Sequence, residues 1–245
     1  MRRDRFYLEN LASLEIRDIA ALHKIRKVLR KKKKDLISVF DGKGSEYEVR
    51  IKEITHNKIE FDSPSIRRKA KQIQPKISLA FPVLKSQRSD FLISKAVELG
   101  IDALQPFISE NNVAKRPGSS KFAHWKRIVI ESACQSKRLF LPGIKSVISV
   151  EAIFDAFDAY DLILLADPTS DLQAESFFGG IKTEVVRNLL LVVGPEGGFS
   201  PRELDRLKVQ NNLKRLRISN FVLRSETACV FLSGLTCHYF NKSEI

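Results

Sequence analysis

The sequence predicts an α/β protein: a mostly parallel sheet covered by helices, preceded by a small β-rich module. Three observations carry this. Residues 36–61, LISVFDGKGSEYEVRIKEITHNKIEF, alternate apolar and polar side chains, with turn signals at Asp41-Gly42-Lys43-Gly44 and His56-Asn57, as short antiparallel strands do. From residue 76 the period changes, and short apolar runs alternate with amphipathic segments of helical length, the pattern of strands joined by crossover helices. Between them DSPSIRRKAKQIQP (62–75) is polar, charged and flanked by proline, as a linker would be. The expected domains are therefore 1–72 and 73–245.

The elements follow in order. HKIRKVLRKKKKD places Ile25, Val28 and Leu29 at helical spacing, with Arg26, Lys27, Arg30 and Lys31 in the other positions, and reads as a basic amphipathic helix. KISLAFPVL is a strand, SDFLISKAVELG a helix stopped by Gly100, and IDALQPFIS a strand. KFAHWKRIVIESACQSKR is a helix; YDLILLAD and NLLLVV are strands. SPRELDRLKVQ opens a helix with Ser200 as N-cap, Pro201 at the first position and Glu203 completing a capping box. LKRLRIS is the last strand and SETACVFLSGLTCHYF the terminal helix. There is no internal repeat, and the Lys31–Lys34 run is the one low-complexity segment.

Composition narrows the function classes. With 245 residues and 43% hydrophobic content, the chain is long enough to bury a real core. The segment MRRDRFYLENLASLEI mixes acids with bases, unlike a signal or transit peptide. No apolar run approaches the roughly 20 residues of a membrane helix, so a cytoplasmic protein without membrane attachment is expected. Cys134, Cys229 and Cys237 form no CxxC and have no histidine at ligand spacing; Cys237 and His238 are adjacent, and so diverge on a helix. Buried reduced thiols are expected, and no metal. The charge, +13 overall, is uneven: residues 1–76 hold 21 Lys+Arg against 11 Asp+Glu, leaving 21 against 18 for the rest. A localised basic surface suits a polyanion; a plain solvated face is the alternative.

One loop stands out. In LLLVVGPEGGFSPREL (189–204) a buried strand, Leu189–Val193, runs into three glycines, a proline and a carboxylate before the helix at Ser200. Such loops lie beyond the carboxyl ends of strands, where open α/β sheets bind ligands. Phosphate is a poor candidate: neither G-x-x-x-x-G-K-[ST] nor G-x-G-x-x-G is present, and Glu196 would repel an anion. An adenosine held by backbone groups, or a cationic group, suits the loop; a ligand-free tight turn is the alternative. Further on, ISNFVLRSETA (218–228) places Arg224, Glu226 and Thr227 at the entry of an apolar helix. Taken alone, Arg224 and Glu226 read equally as a simple ion pair capping that helix.

Together, GPEGGFSPRELDRL and ISNFVLRSETA resemble the two signature motifs of the SPOUT-class RNA methyltransferases, in particular the RsmE type, the 16S ribosomal RNA (uracil-N3)-methyltransferases. HKIRKVLR and VFDGKGSEYEVRI are similar to that family's N-terminal module, LKSQRSDFLISKAVELGIDALQPFISE to its first α/β unit, and WKRIVIESACQSKRLFLPGI to its central helix. The resemblance thus runs in order over nearly the whole chain. It implies a PUA-like β-barrel followed by a trefoil-knotted α/β methyltransferase domain, active as a homodimer on 16S rRNA or the small ribosomal subunit, at its decoding region. It also implies S-adenosylmethionine in the knot loops. By position the cofactor-binding residues would be Leu165, Ala166, Gly194, Pro195, Glu196, Gly197, Ile218, Ser219, Asn220, Val222, Leu223 and Thr227, with Ile218, Val222 and Leu223 enclosing the adenine.

The catalytic pair would be Arg224 and Glu226. A cation near O2 or O4 stabilises a uracil anion as N3 loses its proton, the role expected of Arg224. Glu226 would accept that proton or hold Arg224; a carboxylate beside an arginine is a weak base, which favours holding. RNA contacts would come from Arg2, Arg5, Arg26, Arg30 and Arg138, the last of which has the dimer partner as its alternative, with Lys27 and Lys31–Lys34 either along the phosphates or, for any single lysine, simply solvated. Two departures accompany the match: where the family usually has Leu-Gly-x-Arg the chain has Ile218-Ser219-Asn220-Phe221, and in SENN (109–112) the arginine that commonly follows Ser-Glu is absent. These departures keep a second class open, a non-catalytic RNA-binding or ribosome-assembly factor. A nucleotide-dependent metabolic enzyme is the third, and the missing phosphate fingerprints count against it.

Overall fold

The computed structural model describes residues 4–62, 64–85, 87–181 and 185–240. They form two compact units. The first holds the described residues up to Gln72 together with Ala133–Leu141; the second holds Ile73–Ser132 and the described chain from Pro142 onward. The linear division at 72/73 is thus crossed once, by Ala133–Leu141.

The first unit carries strands β1 (Arg5–Tyr7), β2 (Glu15–Ile16), β3 (Leu36–Phe40), β4 (Ser45–Ile54), β5 (Ile59–Phe61) and β6 (Ser65–Lys69), in the order β1-β3-β4-β5-β2, with β6 also on β4. The turn signals hold. Asp41 Oδ1 accepts hydrogen bonds from the backbone N–H of Lys43 (2.7 Å) and Ser45 (3.0 Å), and Gly42 and Gly44 supply the positive φ of 70° and 108° that the β3–β4 turn needs. A register shift between Ile51 and Glu53 on β4 lets this ten-residue strand pair with β3 and β6 through its first half and with β5 through its second, the kind of bend a bulge produces. Ile25, Ile37, Val39, Val49, Ile51 and Ile59 fill the interior of the curled sheet.

Four expectations for this unit are corrected. The segment read as a linker contains β6, whose exposed SIRRK carries no apolar alternation because it lies at the sheet's edge. The helix read from His23 onward begins earlier, as α1 (Ile19–His23), N-capped by Asp18, and continues as a π turn over Lys24–Val28. The Leu29 N–H reaches the Lys24 carbonyl (2.9 Å); that wider turn adds a residue and rotates Val28 into solvent while Ile25 stays buried. Arg5, expected on RNA, is 7% exposed. It donates to the carbonyls of Ala133 (2.7 Å) and Arg138, lies over the Phe40 ring at 3.8 Å, and sits 3.4 Å from Glu46. Glu46 is buried too, and Arg67 and Arg68 (3.4 Å each) and the Ser38 hydroxyl complete its surroundings. A carboxylate out of water requires such compensation, so Arg5 is structural. Arg138 is also buried, and an RNA-contact role for either arginine is corrected on that ground.

From Ile73 onward the chain runs β7 (Lys76–Pro82), α2 (Gln87–Leu99), β8 (Ala103–Ile108), α3 (Ser119–Ser136), β9 (Gly143–Ile144), β10 (Ile148–Ser149), α4 (Val150–Asp155), β11 (Leu162–Ala166), α5 (Ala174–Gly180), β12 (Asn188–Val193), α6 (Pro201–Lys208), β13 (Leu213–Leu216) and α7 (Ser225–Tyr239). The sheet order is β10-β8-β7-β12-β11-β13, with β9 on β8, and every pairing is parallel. Leu190 and Val192 face a core with Ile153, Phe154 and Leu207 of α4 and α6. On β7 and β12, α7 packs beside α2. Both faces being covered explains why NLLLVV is apolar throughout. After edge strand β13 the chain reaches α7, which packs on β7 and β12 rather than on its own strand.

Asp90 of α2 anchors α3. It accepts from Lys121 Nζ (2.7 and 2.9 Å) and Trp125 Nε1 (3.0 Å), with His124 Nε2 at 3.0 Å. Burial works to raise its carboxyl, but the hydrogen bonds of Lys121, His124 and Trp125 together with the charge of Lys121 outweigh it and hold Asp90 below its ordinary value. A depressed folded pKa contributes stability that is present above the unfolded value, about 3.9, and is lost as pH falls through the folded one. Asp90→Asn is expected to cost about 1 kcal/mol at pH 7, the screened worth of a partly exposed group. Urea unfolding should find that difference shrinking as pH falls below about 4, the unfolded value; an undiminished difference would show that charge is not its origin.

Candidate cofactor cavity

Three strand ends set the site. Ala166 of β11 lies in register with Val193 of β12 and with Leu216 of β13, so the segments leaving all three strands emerge at one edge of the sheet. After β12 the chain turns at once: the Gly198 N–H donates to the Pro195 carbonyl (2.9 Å) with Gly198 at φ 70°. At Gly194 an added Cβ would lie 2.9 Å from the Phe199 ring. The exit is fixed by the expected capping box: Ser200 N–H donates to Glu203 Oε2 (2.7 Å) and Glu203 N–H to Ser200 Oγ (3.3 Å). The other carboxylate oxygen of Glu203 accepts from the Glu110 N–H (3.0 Å), and Asn111 Nδ2 donates to the carbonyls of Gly197 (3.4 Å) and Gly198 (3.1 Å). SENN, noted for its missing arginine, thus braces the glycine loop through Asn111.

The second segment meets the first directly. Ser225 Oγ donates to the Gly194 carbonyl at 2.9 Å, joining the start of RSETA to the start of GPEGG. Between them opens a cavity of about 560 Å³. Of the expected cofactor residues, Leu165, Ala166, Gly194, Pro195, Glu196, Ile218, Ser219, Val222 and Leu223 line it, and Arg224 does too; Gly197, Asn220 and Thr227 are not among the lining residues. Val222 is 85% exposed and Phe221 80%, so Val222 stands at the open side and does not enclose.

Two further features were not read from the sequence. Asp167 and Thr169, just past β11, and Arg215 on β13 also line the cavity. Asp167 accepts from the Thr169 hydroxyl (2.7 Å) and N–H (2.9 Å) and pairs with Arg215 Nε (2.5 Å). Burial pushes the Asp167 carboxyl up, but Thr169 and Arg215 outweigh it and hold it below its usual range, ionised. Secondly, Glu226 is buried and its ion-pair partner is Arg88 of α2, 3.9 Å away. The expected Glu226–Arg224 pair is absent among the described residues: Arg224 is exposed as the N-cap of α7, with φ and ψ of −64° and 151° and no side-chain capping bond.

Chemically this is a largely apolar pocket, edged by backbone amides and carbonyls and by the acids Glu196 and Asp167, of a size that takes a nucleoside-sized ligand. Among the described residues no group of three His, Cys, Asp or Glu could hold a metal.

A family profile described as an RNA methyltransferase domain matches residues 71–236, and an RNA methyltransferase PUA domain matches residues 22–62. The chain belongs to the RNA methyltransferase family. Curated relatives of this family member include ribosomal RNA small subunit methyltransferase E of Buchnera aphidicola subsp. Schizaphis graminum, 27% identical over 94% of this chain and 93% of that protein. The protein of the same name from Bacillus subtilis is 27% identical over 86% and 84%. Among solved structures, ribosomal RNA small subunit methyltransferase E of Neisseria gonorrhoeae, bound to S-adenosylmethionine, is 25% identical, covers 96% of this chain and 97% of its own, and superposes with a TM-score of 0.84. A Legionella pneumophila protein, 22% identical, covers 97% and 98% with a TM-score of 0.85, a likeness of fold. The architecture is that of the SPOUT methyltransferases with a PUA-like N-terminal domain.

Proposed function

We propose that this RNA methyltransferase uses S-adenosylmethionine to methylate N3 of a uracil in the 16S rRNA of the small ribosomal subunit, in the cytoplasm and as a homodimer. The observation that carries the reading is the shared cavity formed where GPEGG and RSETA meet across the Ser225–Gly194 bond. The residues suit the methyl donor. Ile218 and Leu223 offer apolar surface to an adenine, and the backbone of Gly194–Glu196, Gly198, Ile218 and Ser219 lies along the same cavity, where it can offer polar contacts. When bound, S-adenosylmethionine supplies an activated methyl group on a cationic sulfur.

This chain's own groups do the rest. A neutral imide nitrogen is a poor nucleophile, so the site must stabilise uracil as N3 gives up its proton. Arg224 lines the cavity, is exposed and has no ion-pair partner among the described residues, which supports assigning it to O2 or O4. In the first unit Lys27, Arg30 and Lys32–Lys34 are exposed, and Arg26 is half-buried with Nη1 on the His56 carbonyl (3.2 Å); they supply a surface for phosphates. Arg2 lies outside the described residues. Exposed Phe221 and Val222 are apolar surface that a second copy would cover.

Incubation with tritiated S-adenosylmethionine and small-subunit RNA, naked or assembled, should yield labelled 3-methyluridine after digestion. Salt-sensitive RNA binding without methyl incorporation would favour the non-catalytic RNA-binding factor.

A further inference from the structure

Arg88 belongs to neither motif, yet it meets a carboxylate from each. Its Nη1 pairs with Glu196 of the glycine loop and lies 3.9 Å from Glu226 Oε2 in the first turn of α7. Its position runs against local preference. As the second residue of α2, the guanidinium sits at the positive end of a helix dipole, where a cation is disfavoured; its role is therefore tertiary. Glu226 supplies the need. It is 8% exposed and its Oε2 makes no hydrogen bond among the described residues, and a carboxylate out of water without a counter-charge is strongly disfavoured. With Arg88 removed, Glu196 and Glu226 would face the same vacated point as like charges.

We propose that Arg88 is a positioning residue for methyl transfer. It clamps the Glu196 loop to the start of α7 and so holds two walls of the cofactor cavity together. By engaging Glu226 it also leaves Arg224 free for the substrate. The proposal rests on the functional reading above for its link to the cofactor, but the clamp itself is measurable without any cofactor.

Arg88→Met and Arg88→Lys separate charge from bulk. Amide hydrogen exchange of the cofactor-free protein should be about tenfold faster or more at Gly198, whose N–H is held by the Pro195 carbonyl, in Arg88→Met, with the Leu92–Val97 amides of α2 unchanged. Arg88→Lys should restore most of the protection, since it keeps the charge but not the fork. S-adenosylmethionine affinity, measured by calorimetry, should fall about tenfold or more in Arg88→Met, and that loss should shrink when Glu226→Gln is added, because the repulsion is then relieved. Unchanged loop exchange would overturn the clamp. Faster exchange with unaltered affinity would overturn its role in positioning. If the wild type binds no S-adenosylmethionine, the functional reading falls, while the exchange data still decide whether the clamp exists.

Discussion

Gly194→Val is expected to weaken S-adenosylmethionine binding by about 10- to 100-fold, the equivalent of the roughly 1–3 kcal/mol that overpacking a tight site costs. The clash is specific. A Cβ at residue 194 would lie 2.9 Å from the Phe199 ring, and that ring cannot easily retreat: it stacks on Phe107 at 6.4 Å and packs against Phe154 at 6.2 Å between centroids. The loop must shift instead, and with it the Gly194 carbonyl that accepts from Ser225. Calorimetric titration of wild type and variant, with circular dichroism confirming retained structure, measures the effect. Affinity within about threefold of wild type would mean that the loop does not touch the methyl donor.

Arg224→Ala is expected to lower kcat by about 10²–10³, the usual effect of deleting a donor aimed at developing negative charge, and to leave cofactor affinity nearly unchanged. The helix should survive. Arg224 caps α7 through its backbone angles, its carbonyl accepts from the Ala228 N–H at 2.9 Å, and its side chain makes no capping bond, so truncation removes charge without removing the cap. Arg224→Lys should retain part of the activity, because charge remains while the planar fork is lost. Steady-state methyl transfer at saturating cofactor gives the value. A raised KM for RNA with unaltered kcat would assign Arg224 to binding instead.

What could be read from the residues depended on how locally each feature is encoded. Long strands and helices of the second unit announce themselves by period: NLLLVV is apolar because both faces of β12 are covered, and Ser200, Pro201 and Glu203 mark the start of α6 by contacts within four residues. Two-residue strands such as β9 and β10 are too short to have a period, and β6 hid as a linker because its side chains are solvated. The two motifs indicated where the cavity lies, since each places backbone at a strand end. Charge partners were harder. Whether an arginine meets phosphate or a buried carboxylate depends on chain far away: Arg5 finds Glu46 and the carbonyls of residues 133 and 138, and Glu226 finds Arg88 rather than its neighbour Arg224. No spacing rule encodes those meetings, and the same holds for Asp167 with Arg215.

A crystal structure of the chain grown with S-adenosylmethionine would decide whether Gly-Pro-Glu-Gly-Gly and Arg-Ser-Glu-Thr form one receptacle for the methyl donor. Adenosyl density between Gly194–Gly198 and Ile218–Leu223, with the reactive methyl directed toward the Arg224 side of the cavity, is the expected result. Density bound elsewhere, or an empty cavity at saturating concentration, would contradict it.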